Sequence, residues 1–295
     1  MRFTVVFLIS SLLLYSCGRQ NDYQKNIDLR GDWSFYPMDD PGLTAPEFDG
    51  DSWTTIDLIP YGESNMPLTN ESIAEMREKV QMESGWYRKT FSLEEENRGK
   101  SIYLYFSGIF PDPELWLNEN FLQVQVADDN SQLYKISGNI NYDGVNVINI
   151  RVDSSLSIPY SPGFHYIISQ EAKIVVANPV HIRPGGVDIR VTELDSEADL
   201  EIALELINNN QETKKVKVIS HIYHPENGKK AVVNSDGLTL DDRLNVVQIT
   251  SIENPELSKD GKPVIYECVI DVLTSGNTIL DTYVKRFIIS NENED

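Results

Sequence analysis

The sequence predicts an all-β protein built from two successive sandwich domains. Between Gly85 and Asn118, aromatic and β-branched residues alternate with polar ones, as expected for strands with one buried and one solvated face. Beyond Ile182, short strands recur at even spacing, and all four tryptophans of the chain lie before that residue. Because a single sheet cannot bury such faces, each half of the chain must pair two sheets around a core.

The chain begins with a segment that is typical of a bacterial lipoprotein signal. Arg2 supplies a positive charge, Phe3 to Leu14 form an apolar run too short to span a bilayer, and a small residue precedes Cys17. This pattern implies cleavage before Cys17 and lipidation of that residue. An ordinary secretory signal with an incidental cysteine is the alternative. We assign residues 1–17 to the signal and residues 18–26 to a tether.

The expected location follows from this signal. The mature protein would be lipid-anchored in the bacterial cell envelope, at the outer membrane, where it is either periplasmic or surface-exposed. Several acyl chains at Cys17 would supply the anchoring that one chain lacks, so contact with the membrane is expected only through the lipid.

The charge of the chain excludes one class of partner. With 46 acidic and 25 basic residues the formal net charge is −21, which argues against a nucleic-acid or anionic-membrane surface. The second cysteine, Cys268, has no partner for an internal disulfide once Cys17 is lipidated. Its place in an apolar strand pattern predicts a small buried residue rather than a nucleophile.

Residues 27–182 are predicted to form the first sandwich. Ile27 to Phe35 read as its first strand, and Thr54 to Pro60 as its second. Residues 61–84 interrupt the β pattern with a short amphipathic helix capped by Thr69 or Asn70. In the strand that follows, the alternation points one set of side chains to the core and the other set away, namely Ile102, Leu104 and Phe106 against Tyr103 and Tyr105.

Residues 183–295 are predicted to form the second sandwich, with Arg183-Pro184-Gly185-Gly186 as the boundary. About seven short strands in about 110 residues are typical of an immunoglobulin-like fold. The cysteine pair of that fold is absent, so packing alone must hold this domain. The predicted strands are 186–193, 200–207, 215–224, 244–252, 264–273 and 282–289.

Taken together, several short motifs resemble the non-catalytic front part of glycoside hydrolase family 2, the family of β-galactosidases, β-glucuronidases and β-mannosidases. Each motif alone is weak, but the order and spacing of the motifs in the first domain, over about 150 residues, make the resemblance specific. The motifs are Gly31 to Phe35, Asp51 to Trp53 with Ile59-Pro60, Gly85 to Phe91, Tyr105 to Gly108, Leu115 to Asn118, Asn146 to Val152, Ile207 to Asn209, Asn254 to Leu257, Pro263 to Tyr266, and Asp281 with Arg286-Phe287.

The resemblance implies a galactose-binding-like jelly-roll domain followed by an immunoglobulin-like domain. Family members continue past the equivalent of Phe287 into a barrel that carries both catalytic carboxylates, whereas this sequence has eight further residues. We therefore expect a protein without catalytic residues, which is not an enzyme. Two departures affect a turn and a packing contact: Glu119 stands where the family often has glycine, and Ser258 where it often has tryptophan.

Ligand contacts are expected in loops, since loops carry function while strands carry packing. Three loops of the first domain are rich in aromatic and polar residues. Asp112 and Glu114 are only two residues apart on one of these loops, which is commonplace, so a catalytic pair is not expected there. The candidate ligand-binding residues are Tyr61, Glu63, Asn65, Phe110, Asp112, Glu114, Tyr160, His165 and Tyr166.

The tryptophans permit two interpretations. Flat aromatic rings stack on sugar faces, which favours a lectin-like role. The neighbours of Trp33, Trp53, Trp86 and Trp116, however, alternate as in buried strands, and we therefore predict core packing for all four.

No cofactor is expected. Asp39, Asp40, Asp49 and Asp51 could bind a structural calcium ion, although such residues more often form turns. The His221/His224 pair lies on one strand at a spacing that puts the two rings on opposite faces, so a metal site is not expected.

Three hypotheses for function follow. The first is a non-catalytic carbohydrate-binding lipoprotein that captures an oligo- or polysaccharide. The second is an accessory subunit or remnant of a glycoside hydrolase whose catalytic barrel is on another chain. The third is a protein-interaction scaffold, because sandwich folds host many functions.

Overall fold

The computed structural model describes residues 23–36, 53–56, 85–107, 113–124, 126–128, 131–152, 171–194, 196–259 and 262–289. These residues form twenty β-strands and two short 3-10 helices, Glu95–Asn97 and Ser137–Asn139. The predicted all-β class is confirmed. The helix predicted after residue 69 lies outside the described residues, and within them no helix is long and apolar enough to cross a membrane.

The first domain consists of a five-stranded and a six-stranded antiparallel sheet. Their orders are β1-β11-β5-β9-β8 and β3-β2-β4-β10-β6-β7. The strands are β1 Gln24–Asp28, β2 Trp33–Tyr36, β3 Thr54–Ile56, β4 Gly85–Phe91, β5 Ser101–Ser107, β6 Glu114–Leu117, β7 Asn120–Leu122, β8 Val126–Asp128, β9 Ser131–Lys135, β10 Asn146–Val152 and β11 Glu171–Ala177.

The core of this domain lies between the two sheets and follows the predicted alternation. Ile102, Leu104 and Phe106 of β5 are fully buried in it, together with Trp33 and Leu115 from the facing sheet. The intervening tyrosines of β5 belong to a separate cluster on the other face. The predicted orientation of this strand is confirmed.

The predicted first strand is two strands. Asp32 adopts a left-handed φ of 54°, and the chain changes sheets there, so that β1 pairs with β11 while β2 pairs with β4. The register of β1 also corrects the predicted tether, because residues 24–26 are strand residues paired with residues 175–177. This polar segment is ordered by its backbone hydrogen bonds to β11 and not by an alternation of apolar side chains.

The β6–β7 hairpin shows how the sequence accommodates Glu119. Asn118 and Glu119 are the two loop residues, with φ of 48° and 69°, which is the conformation of a type I′ turn. The Asn118 side chain ties the turn to β10, since its Oδ1 accepts a hydrogen bond from Val147 N at 2.9 Å. The turn therefore forms without the glycine found in the family, at the cost of a glutamate in a left-handed conformation.

The second domain is a sandwich of a three-stranded sheet, β12-β13-β16, and a four-stranded sheet, β15-β14-β19-β20. Its core contains the fully buried Cys268, as predicted. The strand β15 is an addition to the strands predicted from the sequence. The elements are β12 Val180–Leu194, β13 Glu197–Asn208, β14 Lys214–His224, β15 Gly228–Leu240, β16 Arg243–Glu253, β17 Ser258–Lys259, β18 Lys262–Pro263, β19 Ile265–Thr274 and β20 Ile279–Ile288.

The segment predicted as the boundary, residues 183–186, lies inside β12. Its pairing with β13 shifts register between Ile182 and Val187, so the segment is a β-bulge rather than a linker. Gly185 has a φ of +73°, and a Cβ at this position would lie 3.0 Å from Cε2 of Tyr105 in the first domain. Glycine is therefore required both for the backbone conformation and for the close approach of the two domains.

A polar seam joins the domains. Gln24 of β1 reaches across it, and its Nε2 donates to Ile182 O at 2.9 Å and to Asp281 Oδ2 at 2.8 Å. Asn178, between β11 and β12, donates through Nδ2 to Leu280 O at 2.8 Å. Since these groups are buried or half-buried, the contact fixes the two sandwiches against each other.

Candidate functional site

Three strand ends meet at one end of the six-stranded sheet. In the register of β10, Val152 lies opposite Gly85, the first residue of β4, and Arg151 lies opposite Glu114, the first residue of β6. The loop predicted at Phe110 to Glu114 leads directly into this sheet end, and the segment that contains Tyr160 to Tyr166 begins after Val152. The segment that contains Tyr61 to Asn65 begins after Ile56 of β3 and reaches this sheet end only at Gly85, twenty residues further on. The register of β10 therefore places the attachments of two predicted loops side by side.

Glu114 is the one candidate ligand residue within the described part of the chain. It opens β6, is half-exposed, and accepts a hydrogen bond from Arg151 Nη1 at 2.8 Å. An ion pair of this exposure adds little stability. The remaining candidates lie outside the described residues and stay predictions: Tyr61, Glu63, Asn65, Phe110, Asp112, Tyr160, His165 and Tyr166.

An aromatic row runs across the same sheet, on the face opposite the core. The ring centroids of Trp86 and Trp116 are 5.1 Å apart, and those of Trp116 and Phe121 are 5.4 Å apart in an edge-on contact. Trp86 is fully buried, whereas Phe121 is 56% exposed. The row therefore passes from a covered end at β4 to an open end at β7.

The buried end of the row contains an unusual donor. Trp86 Nε1 is inaccessible to solvent and has no hydrogen-bond partner among the described residues. Buried N–H groups are rarely left in this state, and a water or a ligand normally satisfies them.

Polar side chains accompany the aromatic row. Arg88 and Trp116 lie opposite Asn149 on either side of β10, and Arg151 is two residues further along that strand. Burial lowers the pKa of the Arg88 guanidinium from its ordinary value, yet an arginine remains charged under all physiological conditions. Flat rings beside guanidinium donors and a carboxylate acceptor form a surface suited to a ligand with both apolar faces and hydroxyl groups.

Trp33 and Trp86 are both fully buried, as predicted, but only Trp33 lies in the core between the two sheets. Trp33 is buried in the sandwich core, where its Nε1 donates to Leu29 O at 2.5 Å. Trp86 and Trp116 instead occupy the outer face, and Trp53 is half-buried against Tyr36 at a centroid distance of 5.4 Å. The sequence did contain the signal for Trp116, because its neighbours Leu115 and Leu117 are the core residues of β6 and a strand alternates.

Metal ligation has no support in the described residues, where no group of three or more His, Cys, Asp and Glu is placed to hold an ion. His224 is buried against Glu256, with Nε2 3.0 Å from Oε2, while His221 points to the other face of β14, as predicted. The four aspartates proposed for calcium, at positions 39, 40, 49 and 51, lie outside the described residues.

Comparisons with known proteins agree with the family resemblance that the sequence motifs indicate. Residues 180–287 match the family model described as "Glycosyl hydrolases family 2". The chain is 25% identical over 252 residues to a β-galactosidase, BoGH2A, of Bacteroides ovatus, covering 83% of this chain and 29% of that protein. It is also 25% identical over 292 residues to a putative β-glucuronidase of Formosa agariphila, covering 95% of this chain and 27% of that protein.

Solved structures show the same fold. A β-glucuronidase of Bacteroides uniformis superposes with a TM-score of 0.72 at 18% identity, over 90% of this chain and 32% of its own. A glycosyl hydrolase family 2 member of Bacteroides cellulosilyticus gives a TM-score of 0.70 at 22% identity, over 90% and 36% of the two chains.

The resemblance to glycoside hydrolase family 2, predicted from the sequence, is therefore confirmed, as is the sandwich fold. The chain spans between 23% and 33% of the length of the curated relatives that it matches. The matched portion corresponds to accessory domains of the family rather than to its catalytic barrel.

Proposed function

We propose that the protein is a non-catalytic carbohydrate-binding lipoprotein of the bacterial cell envelope, anchored through Cys17 and acting in the capture of an oligo- or polysaccharide. The observation that carries the proposal is the aromatic row of Trp86, Trp116 and Phe121, which lies beside the Glu114–Arg151 pair at the sheet end where two predicted loops attach. The relatives, named as β-galactosidases and β-glucuronidases, make a sugar the first ligand class to test.

The chemistry of this sheet end suits a sugar. Pyranose rings present C–H faces that stack on aromatic side chains, and Trp116 and Phe121 offer such a surface at the open end of the row. Hydroxyl groups need donors and acceptors in fixed positions, which Arg151 and Glu114 provide in the ion pair beside it. A ligand that engages both would bridge β6, β7 and β10.

A glycan array screened with the protein, followed by calorimetry on any positive glycan, tests the proposal. Glu114→Gln should weaken binding about tenfold, because a carboxylate acceptor in a charge-assisted bond is replaced by a neutral amide. Glu267→Gln is the matched control. Glu267 has a similar exposure, 42% against 46%, and also pairs with an arginine across two strands, at 3.0 Å.

Equal glycan affinities for the two variants would show that the glycan does not bind at β6. Flat responses across plant, host and microbial glycans would overturn the carbohydrate-binding proposal itself. Positive binding that is lost in Tyr160→Ala or Phe110→Ala would extend the site into the predicted loops.

A second candidate function is that of an accessory subunit for a glycoside hydrolase barrel on another chain. Val247 and Ile249 on β16 are exposed apolar residues on the outer face of the three-stranded sheet, opposite Ala203 and Glu201. A pair of this kind on a flat sheet is a candidate for protein contact. Co-purification of a hydrolase with the wild type but not with Ile249→Asp would support this function. Purification of the wild type as a monomer without any bound hydrolase would contradict it.

A further inference from the structure

A small polar pocket lies on the seam between the two domains. The first domain contributes Tyr103 and Lys135, and the second contributes Arg183, Asn209 and Arg243. Its volume is about 70 Å³. This pocket is separate from the aromatic row, since Tyr103 and Lys135 belong to the five-stranded sheet.

Three basic side chains line the pocket, namely Lys135, Arg183 and Arg243. Glu205 accepts hydrogen bonds from both arginines, with Arg183 Nε at 2.5 Å from Oε2 and Arg243 Nη1 at 3.2 Å from Oε1. In a chain with a net charge of −21, such a local cluster of basic groups favours the approach of an anion.

The polar groups that line the pocket are held in place by one another. Asn209 Oδ1 accepts from Lys135 Nζ at 2.7 Å, and Asn209 Nδ2 donates to Ser101 Oγ at 2.8 Å and to Tyr103 Oη at 3.1 Å. Tyr103 Oη also lies 3.0 Å from His181 Nε2. Lys135 and Asn209 are therefore pre-positioned, which lowers the entropic cost of binding.

Neither Tyr103 nor His181 adds charge to the pocket. Burial raises the pKa of the Tyr103 hydroxyl above its ordinary value, so the group keeps its proton. Burial lowers the pKa of His181 to about 4, so its ring is neutral at physiological pH. The positive potential thus comes from Lys135, Arg183 and Arg243 alone.

Size and geometry define the ligand. Pockets for drug-sized molecules occupy roughly 300–1,000 Å³, so this one admits only a few non-hydrogen atoms. Guanidinium groups bind oxyanions through paired N–H donors, and Arg243 uses only Nη1 for its bond to Glu205 among the described residues. We propose that the seam pocket binds one small oxyanion, of the phosphate or sulfate type, through Lys135 and the two arginines.

Such an anion would cross-link the domains, because Lys135 belongs to the first sandwich and both arginines to the second. Binding would then stabilise the folded state by an amount that grows with the logarithm of the anion concentration once this exceeds the Kd. The proposal does not depend on the sugar site, and its test uses no glycan.

The experiment is a titration of the protein with inorganic phosphate and with inorganic sulfate, at ionic strength held constant with sodium chloride. The expected result is a melting temperature that rises with either oxyanion at low millimolar concentration, where their general stabilising effect on proteins is small, and not with chloride. Glycerol 3-phosphate forms a further arm: a similar shift shows that the pocket also accepts an ester-borne phosphate, and its absence shows that the free ion is the ligand.

Matched arginine variants locate the effect. Arg243→Gln should weaken phosphate binding at least about tenfold, because one charged donor is lost. Arg286→Gln, which also breaks an exposed arginine–glutamate pair of the second domain, should bind as the wild type does. Lys135→Gln gives the same test from the first domain. A wild type that responds to phosphate and chloride alike, or variants that all bind equally, would overturn the proposal.

Discussion

Gln24 Nε2 and Asp281 Oδ2 form a buried hydrogen bond of 2.8 Å between residues that are 257 positions apart in the sequence. The same carboxylate oxygen accepts from the backbone N–H of Ile182 at 2.7 Å. Its other oxygen, Oδ1, has no hydrogen-bond partner among the described residues. A side chain from the first strand of one domain and a side chain from the last strand of the other thus meet in the absence of solvent.

The first prediction concerns the pH dependence of stability. Burial raises the pKa of the Asp281 carboxyl from 3.8 to about 7, so between these values the folded protein binds a proton that the unfolded chain has lost. The contribution of Asp281 to stability is therefore complete below pH 4 and is lost as the pH rises to 7. Urea unfolding should show this group contributing roughly 2–3 kcal/mol less at pH 8 than at pH 5.

Substitution of Asp281 separates its contribution from that of the other acidic residues of the chain. Asp281→Asn, which cannot ionise, should remove this part of the pH dependence. Asp188→Asn, at an exposed position of β12, should retain it. Parallel pH profiles for the wild type and Asp281→Asn would contradict the assignment.

A second prediction concerns the hairpin turn at Glu119. Because an L-residue with a positive φ costs roughly 1 kcal/mol that glycine avoids, Glu119→Gly should raise the free energy of unfolding by about 0.5–1 kcal/mol. Glu94→Gly is the control, since Glu94 is exposed and has a φ of −69°. That change should lower stability slightly through the entropy of the unfolded chain. Equal effects would show that the turn is not strained.

A third prediction concerns the reactivity of Cys268. Burial raises the pKa of its thiol to about 12, and the residue is inaccessible. In a Cys17→Ser background, labelling by a chromogenic disulfide at pH 8 should therefore be undetectable in the native protein and complete after unfolding in urea. Ser251→Cys, at an exposed position of β16, should react at once in the native state. Rapid labelling of native Cys268 would contradict the described packing of β19.

A fourth prediction follows from the signal expected at the start of the sequence. Cys17→Ser should move the protein from the membrane fraction to the soluble fraction, because the acceptor for the lipid is removed. Cys268→Ser should leave the distribution unchanged. Metabolic labelling with a radioactive fatty acid gives the second measurement, and incorporation that persists in Cys17→Ser would place the lipid elsewhere.

Periodicity predicted the sandwich cores well and the joints between elements poorly. The alternation in β5 and in β13 determines which face is buried, so these strands followed from the sequence. The pattern could not show that Ile27 to Phe35 divide between two sheets, because a left-handed Asp32 leaves little trace in hydrophobicity. It also could not show that Gly185 serves a bulge, since glycine marks bulges and linkers alike.

The candidate site stays a prediction, because of its predicted ligand residues only Glu114 lies within the described part of the chain. The register of β6 and β10 places the attachments of two predicted loops together. The sequence does not predict the outer aromatic row, because a buried tryptophan can lie on either face of a strand. The seam pocket was beyond sequence reasoning, since Lys135 and Arg243 are brought together only by the packing of the two domains.

The position of β1 has a mechanical consequence. Its five residues pair with β11 through bonds that lie across the strand axis, so a pull on the chain ahead of Gln24 loads these bonds in shear and in parallel. The bond of Gln24 to Asp281 passes part of the same load to the second sandwich. A force applied to the chain ahead of Gln24 would therefore be resisted by both domains together.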